Sequence, residues 1–491
     1  MQEMTYHGVL YRTSNIGSYR TTHPHSLTLL GPHKFSNVRR ESGITYVDPF
    51  MQEAFEAYPF GFDFSKLEGW SRSHYTVEGH MLSIKQVQSY IRFHKPKDAS
   101  MLATDTYSQE YFKDLGKIQS LDFNTQLKQV PYEQSSSAGI GIPGRKGDDG
   151  NHIRAIRQAN ATINNCLRHG IQIVIEQSTP DMAYTRTQLT ELSSGLKVRN
   201  VFGEAFQYIL IEGCTASPLM DYFATHDTFF FIGKDPRIAV PETLEEFKRL
   251  APKLISIDWS AFDTSVEQWE IIDAFDLLES MLTFPNVESR AAFEFSKIFF
   301  INRKIAAPDG YVYAKQHAVP SGSFFTMIID AIINWRRILY LHHKQYKKFP
   351  TDIKVQGDDS LLGTDLKVTP EGLALGIPPE SKWKFNPYKS PQGESGSSVP
   401  FLQRTLRWGD QGRDVDRVER LAIYTEYAVE DPQVSSFRAR ALWEDCNYES
   451  NVLSFATEYL EKKYGIPKEV PERFKKFNRF IYESKARASE K

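Results

Sequence analysis

The sequence predicts an α+β protein whose small sheet carries carboxylates at its strand ends. Three observations lead there. Leu254-Ile255-Ser256-Ile257 is a short apolar run ending at Asp258, the pattern of a buried strand. Ile353-Lys354-Val355-Gln356 and Ser360-Leu361-Leu362 flank Gly357-Asp358-Asp359, the pattern of a hairpin with an acidic tip, where glycine permits the turn. Helical patterns alternate with these strands, notably the long apolar stretch from Phe324 to Leu341.

The elements follow in order. The first ~100 residues carry little readable pattern. Ser135 to Gly144 is a loop by composition and runs into the polar Arg145-Lys146-Gly147-Asp148-Asp149-Gly150. Asn151 to Ile175 reads as helical, and strand-like segments follow at Lys197–Val201 and Tyr208–Ile211. Past Asp258, Thr264 and Glu267 have capping-box spacing for a helix reaching about Leu282. Ile301–Ile305 and Tyr311–Ala314 flank Pro308-Asp309-Gly310 as a hairpin. Ser390 to Ser398 reads as a loop, and beyond Arg407-Trp408-Gly409 the pattern is mainly helical. From Glu461 onward ten Lys or Arg residues stand against five Glu, most simply a solvated basic tail.

Composition sets limits. The chain has 491 residues, 41% of them hydrophobic and 24% charged, so a disordered chain is excluded and more than one lobe is expected. Net charge is −2. Any nucleic-acid contact must therefore come from basic groups gathered in a groove, acting within ~8–10 Å. Cys166, Cys214 and Cys446 have neither disulfide-framework nor metal-motif spacing, which points to a reducing, intracellular setting. The N-terminus has no secretory pattern, and no run of ~18 apolar residues occurs, so no membrane partner is expected.

Carboxylates at strand ends carry the chemistry. Asp258 and Asp263 are five residues apart, and Asp358 and Asp359 lie downstream. Crowded carboxylates repel one another unless a cation or proton intervenes. Magnesium takes oxygen ligands, so a few Asp side chains suffice, and manganese accepts the same donors. Taken singly, each pair is as well explained by a helix cap and a surface charge. The chain contains its own control, because Gly147-Asp148-Asp149 repeats the tripeptide without flanking strands. Thr326 and Asn334, eight residues apart on one helix, share a face and with Asp263 suit a ribose hydroxyl, although taken alone a helix start at Ser321-Gly322 and a satisfied core amide at Asn334 explain them better. Lys197 and Arg199, on one face of a strand, suit a triphosphate, although surface charges commonly take that pattern.

In this order the segments resemble motifs F, A, B and C of viral RNA-dependent RNA polymerases: Lys197-Val198-Arg199, Asp258…Asp263, Ser321-Gly322…Thr326…Asn334 and Gly357-Asp358-Asp359. Phe401-Leu402-Gln403-Arg404 is similar to the primer-grip motif E, with Gln403 where the family often has glycine. Ser136 to Gly141 with Lys146-Gly147-Asp148, and the flanks of motifs B and C, resemble the partitivirus polymerases. The resemblance covers about Ser135 to Arg404.

The resemblance implies a right-hand fold: N-terminal region and fingers over 1–250, palm over 251–282 and 319–405, a fingers insertion over 283–318, and a mainly helical thumb with C-terminal tail over 406–491. Asp258 and Asp358 would bind magnesium, with Asp359 assisting. Asp263, Ser321, Gly322, Thr326 and Asn334 would select the ribose, and Lys197 and Arg199 would hold the triphosphate. Lys382 or Lys384 would protonate pyrophosphate, the resemblance not choosing between them. Ser137, Gly139 and Lys146 would line the template entry. The implied partners are template and product RNA, ribonucleoside triphosphates and a capsid protein, within a double-stranded RNA virion in the host cytoplasm. A reverse transcriptase-like palm would carry Tyr-x-Asp-Asp where this chain has Gln356-Gly357-Asp358-Asp359. A non-catalytic RNA-binding palm protein would lack one of the carboxylates, and none is missing.

Overall fold

The computed structural model describes residues 2–6, 9–13, 27–35, 45–87, 93–194, 198–394 and 399–467. Lys197, residues 395–398 of the expected loop and most of the basic tail lie outside them.

Strand β1 (Thr28–Pro32) precedes helices α1 (Pro49–Glu56) and α2 (Ala99–Asp114). Asp48 and Asp98 cap these helices, accepting from backbone N–H groups that a helix start leaves open. Helix α3 (Asn151–His169) is followed by β2 (Asp181–Thr187), β3 (Val198–Gly203) and α4 (Phe206–Thr225). Tyr208–Ile211, expected as a strand, lies inside α4. That helix is buried on nearly every side, so its apolar run has no one-sided stripe to betray a helical period.

Helix α5 (Pro236–Leu250) leads into β4 (Lys253–Ile255), the strand expected before Asp258. The next cap differs from expectation. Thr264 sits in the short turn Phe262–Ser265, entered through Ala261 in the left-handed region (φ 52°), and α6 (Gln268–Met281) is capped instead by the reciprocal pair Glu267 and Glu270. Helix α7 (Val287–Ile301) takes up Ile301, and the expected hairpin follows as β5 (Arg303–Ala306) and β6 (Tyr311–Lys315). Strands β1, β6, β5, β2 and β3, in that order, form one five-stranded sheet.

The long helix α8 (Thr326–Tyr346) is buried along most of its length. After it, β7 (Asp352–Gln356) and β8 (Asp359–Thr364) make the acidic hairpin. Part of the loop expected at Ser390–Ser398 is instead a short strand, β9 (Gln392–Gly393), which pairs with β4. This second sheet is ordered β7-β8-β4-β9, all neighbours antiparallel. Ile332, Ile338 and Leu339 of α8 and Ile271, Phe275 and Leu278 of α6 share one buried core with Ile255, Val355 and Leu362 of this sheet.

A small hairpin, β10 (Thr405–Arg407) and β11 (Asp410–Gly412), precedes α9 (Val415–Ile423), α10 (Pro432–Asp445) and α11 (Asn451–Tyr464). These three helices do not make their core alone. Met51, Ala54 and Phe55 of α1 pack among Val418, Leu442 and Leu453. Ser435 Oγ donates to the Asp48 carboxylate at 2.7 Å, and Arg438 ion-pairs with it.

Candidate active site

The acidic hairpin turns through Gly357 and Asp358, because Gln356 pairs directly with Asp359. Gly357 has φ 62° while Asp358 keeps a negative φ, which suits a II′ turn with glycine first. On the other side of β8, Leu362 pairs with Ile255 and Gly363 with Leu254. Carried three residues further, that register sets Asp258 opposite Asp359, and Ile257 N donates to Ser360 Oγ on the way. Ser390 Oγ fixes the Asp258 backbone from the far side, 3.3 Å from its N–H.

The three carboxylates therefore meet at one end of the sheet. Solvent still reaches Asp359. Even so, the surrounding protein displaces enough water, and Asp358 and Asp258 add enough negative charge, to push its carboxyl up to about 7 against the pull of Arg199. Among the described residues, no three His, Cys, Asp or Glu side chains gather closely enough to hold a cation alone. That is compatible with magnesium, which is commonly held by one or two carboxylates together with water and substrate phosphates. The donor set is all oxygen, and it is short of positive charge.

Asp263 belongs to the same centre. Ser321 Oγ donates to its carboxylate, and Val319 N donates to its backbone carbonyl at 2.9 Å. Burial raises the Asp263 carboxyl above its ordinary range, Asp358 adds to this, and Ser321 and Arg199 oppose it. The Ser321–Gly322 loop is docked on β3, where Phe202 N donates to Ser321 O at 2.7 Å. Gly322 has φ 124°, and a Cβ there would stand 2.3 Å from Phe202 O, so glycine is required. Thr326 is half-buried and turns its hydroxyl to Pro320 O at 2.9 Å.

Asn334 is fully buried and does not present its amide to the cleft. Its Nδ2 donates to Gly357 O at 2.9 Å, and its Oδ1 accepts from Trp259 Nε1 at 2.8 Å. It ties motif A to the motif C turn. One turn further along α8, Arg337 is buried against Glu270 through 2.7 and 2.8 Å bonds and donates to Ser265 Oγ at 3.0 Å. Its guanidinium lies 4.7 Å from the Phe262 ring centre, 4.9 Å from Trp383 and 5.5 Å from Trp259. Sequence reasoning missed this clamp. It also missed Asp330, four residues after Thr326, buried with Oδ1 lacking a hydrogen-bond partner. Burial holds the Asp330 carboxyl well above its ordinary range, and Asp263 and Asp358 add to it. Helical spacing from Thr326 was the available signal.

The remaining residues take scattered places. Arg199 is exposed on β3, within electrostatic reach of Asp263 and Asp359. Lys382 is half-buried; burial lowers its amine from the ordinary range and Glu267 opposes this. Lys384 is exposed, its carbonyl accepting from Ser260 N at 2.8 Å. Ser137, Gly139 and Lys146 sit in the loop before α3. Tyr184 OH donates to Ser137 Oγ at 2.8 Å, Gly139 packs on the Glu204–Ala205 backbone, and Lys146 Nζ donates to Ser136 Oγ at 2.8 Å. Asp148 and Asp149 are exposed just before α3, and Asp148 accepts from Arg145 N. Leu402 and Gln403, both with positive φ (50° and 59°), form a tight turn closed by Phe401 and Arg404. Gln403 thus occupies a left-handed position that favours glycine.

A family model described as viral RNA-dependent RNA polymerase matches residues 50–461. The chain belongs to this polymerase family. Its fold is that of solved polymerases of a human picobirnavirus. One, with an insertion loop deleted, superposes with a TM-score of 0.65 at 16% identity over 93% of this chain and 94% of that chain. Another has a TM-score of 0.64 at 15% identity, covering 88% of each. The RNA-directed RNA polymerase of Cryptosporidium parvum virus 1 (strain KSU-1) is 33% identical over 112 residues, which are 22% of this chain and 21% of that protein. The fold of this chain thus has solved counterparts along nearly its whole length.

Proposed function

We propose that the chain is an RNA-directed RNA polymerase working by template-directed nucleotidyl transfer. The observation carrying this reading is the antiparallel register that extends Asp258 toward Asp359, beside Asp358, in a chain of the viral polymerase family. Asp258 and Asp358 would hold magnesium, or manganese, with Asp359 assisting. When bound, such cations activate the attacking 3′-hydroxyl and steady the triphosphate.

The protein's own groups do the rest. Ser321 keeps Asp263 aimed at the sugar, and Thr326 orders the loop between them. Asn334 acts on the sugar through the Gly357 carbonyl and the Trp259 ring it holds. Arg199, with Lys197, clamps the triphosphate. Lys382 or Lys384 would donate the proton to pyrophosphate.

We assign it further to a partitivirus-like double-stranded RNA virus, acting inside the capsid within host cytoplasm, with capsid protein, template and product RNA as partners. The resemblance at Ser136–Gly141 and around motifs B and C supports this. Among the described residues, no helix is long and apolar enough to cross a membrane.

Purified protein with RNA template, labelled ribonucleotides and magnesium should make product. Asp358→Ala should abolish incorporation, and the exposed Asp149→Ala should retain the metal chemistry. Incorporation surviving Asp358→Ala would overturn the site. A preference for deoxyribonucleotides would favour a reverse transcriptase.

A further inference from the structure

Resting on the polymerase reading, we propose that Glu212 is a positioning residue for sugar selection. From α4 it anchors the loop between Ser321 and Thr326, and through that loop it sets the aim of Asp263.

The loop matters because of what it carries. Ser321 donates its hydroxyl to the Asp263 carboxylate, so a shift of the loop moves the group that orients Asp263. The loop also opens α8. That helix starts at Thr326, and Phe325, at its cap position, supplies no side-chain hydrogen bond.

Glu212 provides the anchor from another helix. It is fully buried in α4. Its Oε2 accepts from Ser323 Oγ at 2.7 Å and from Phe324 N at 2.8 Å. Ser323 Oγ in turn accepts from Phe325 N at 3.2 Å. One carboxylate oxygen therefore holds two successive loop residues and reaches a third through a hydroxyl. It also places negative charge just before a helix start, where the helix dipole favours it.

The other oxygen is already committed. Glu212 Oε1 accepts from Arg303 at 2.6 Å, and Arg303 also donates to Asp181 of β2 at 3.0 Å. The Arg303 guanidinium is buried, 4.0 Å from the Phe299 ring centre, with Glu204 3.4 Å away. Replacing buried ions by packed apolar groups is often neutral or stabilising, so stability alone does not account for this cluster. What it supplies is direction. With Oε1 held by β5, the carboxylate cannot turn away from the loop without losing Arg303.

The test compares incorporation of ribonucleotides and deoxyribonucleotides by full-length variants, each corrected for its active fraction. Glu212→Gln turns an N–H2 donor toward either Arg303 or Phe324 N. The preference for ribonucleotides, as a ratio of kcat/KM values, should then fall about tenfold, the factor carried by one hydrogen bond to a charged group. Ser323→Ala should lower the ratio severalfold, and Ser323→Thr, which keeps the hydroxyl, should restore it. Ser435→Ala removes a buried hydrogen bond at the α1–α10 contact instead and should leave the ratio unchanged. An unchanged ratio in Glu212→Gln would overturn the proposal. So would an equal fall in Ser435→Ala, which would reduce the effect to lost stability. If Glu212→Gln does not fold, the Ser323 variants decide, and a wild-type ratio in Ser323→Ala overturns it.

Hydrogen exchange reads the anchor without catalysis. Amides of residues 319–326 should exchange faster in folded Glu212→Gln, while those of α10 keep wild-type protection. Equal exchange of the loop would overturn the proposal as well. A wild type that incorporates neither kind of nucleotide would fail the polymerase reading, and the exchange result would then decide by itself whether Glu212 holds the loop.

Discussion

The Trp259 indole donates a 2.8 Å hydrogen bond to the side-chain oxygen of Asn334. The same amide donates to Gly357 O, so one buried side chain sets the distance between motif A and the acidic turn.

Asn334→Ala should leave the Trp259 N–H and the Gly357 carbonyl without their partner. Each orphaned buried group costs about 1–3 kcal/mol. A lowered unfolding midpoint is expected, together with a larger loss in kcat than in nucleotide KM. A variant that melts like wild type would remove Asn334 from this role.

Arg337→Met should be more damaging, because it leaves Glu270 charged and buried. Breaking such a pair typically costs about 3–5 kcal/mol. Arg337→Lys should recover only part of the loss, since an ammonium supplies neither the two bonds to Glu270 nor a guanidinium packed 4.9 Å from the Trp383 ring centre. Denaturant midpoints for the two variants check the order.

Gly322→Ala should detach the motif B loop from β3, given the 2.3 Å approach to Phe202 O. Gly310→Ala is the control: it also has positive φ (87°), but nothing stands within 4 Å of an added Cβ. Strain alone costs about 1–3 kcal/mol. Incorporation should fall sharply in the first variant and stay close to wild type in the second.

Glu204 provides the pH prediction. It is fully buried beside Arg303, which also faces Asp181 and Glu212. Burial raises its carboxyl well above the ordinary range; Arg303 opposes this, and Glu212 and Asp181 add to it. A raised folded-state value means the proton favours the fold. That stability is fully present below the unfolded carboxylate range and is lost as pH rises through the folded value. Glu204→Gln should therefore gain stability relative to wild type between pH ~5 and pH ~8, read from denaturation at both. A difference independent of pH would contradict the assignment.

Much of the acidic site was legible because it is local. A strand ending in Asp258 and a hairpin tipped by Gly357-Asp358 are spelled out by neighbouring residues, and the setting distinguished this tripeptide from Gly147-Asp148-Asp149. The clamp on α8 was not legible. Asn334 and Arg337 meet partners 75 and 67 residues away, and spacing along a helix cannot say what faces it. Helix α4 was misread for a related reason: burial all round erases the period. Lys197 lies outside the described residues, so only Arg199 of that pair is seen at the cleft.

The packing of α1 into the thumb has a consequence for biosynthesis. Asp48 and Ser435 are 387 residues apart, yet they share a hydrogen bond. During translation Phe55 emerges early and finds its burial only after α11 has left the ribosome. Until then an apolar face stays open, exposed to aggregation or to chaperones. Early and late helices close the molecule like a clasp, so a protein truncated to begin beyond α1 should accumulate as aggregate even with Asp258, Asp358 and Asp359 intact.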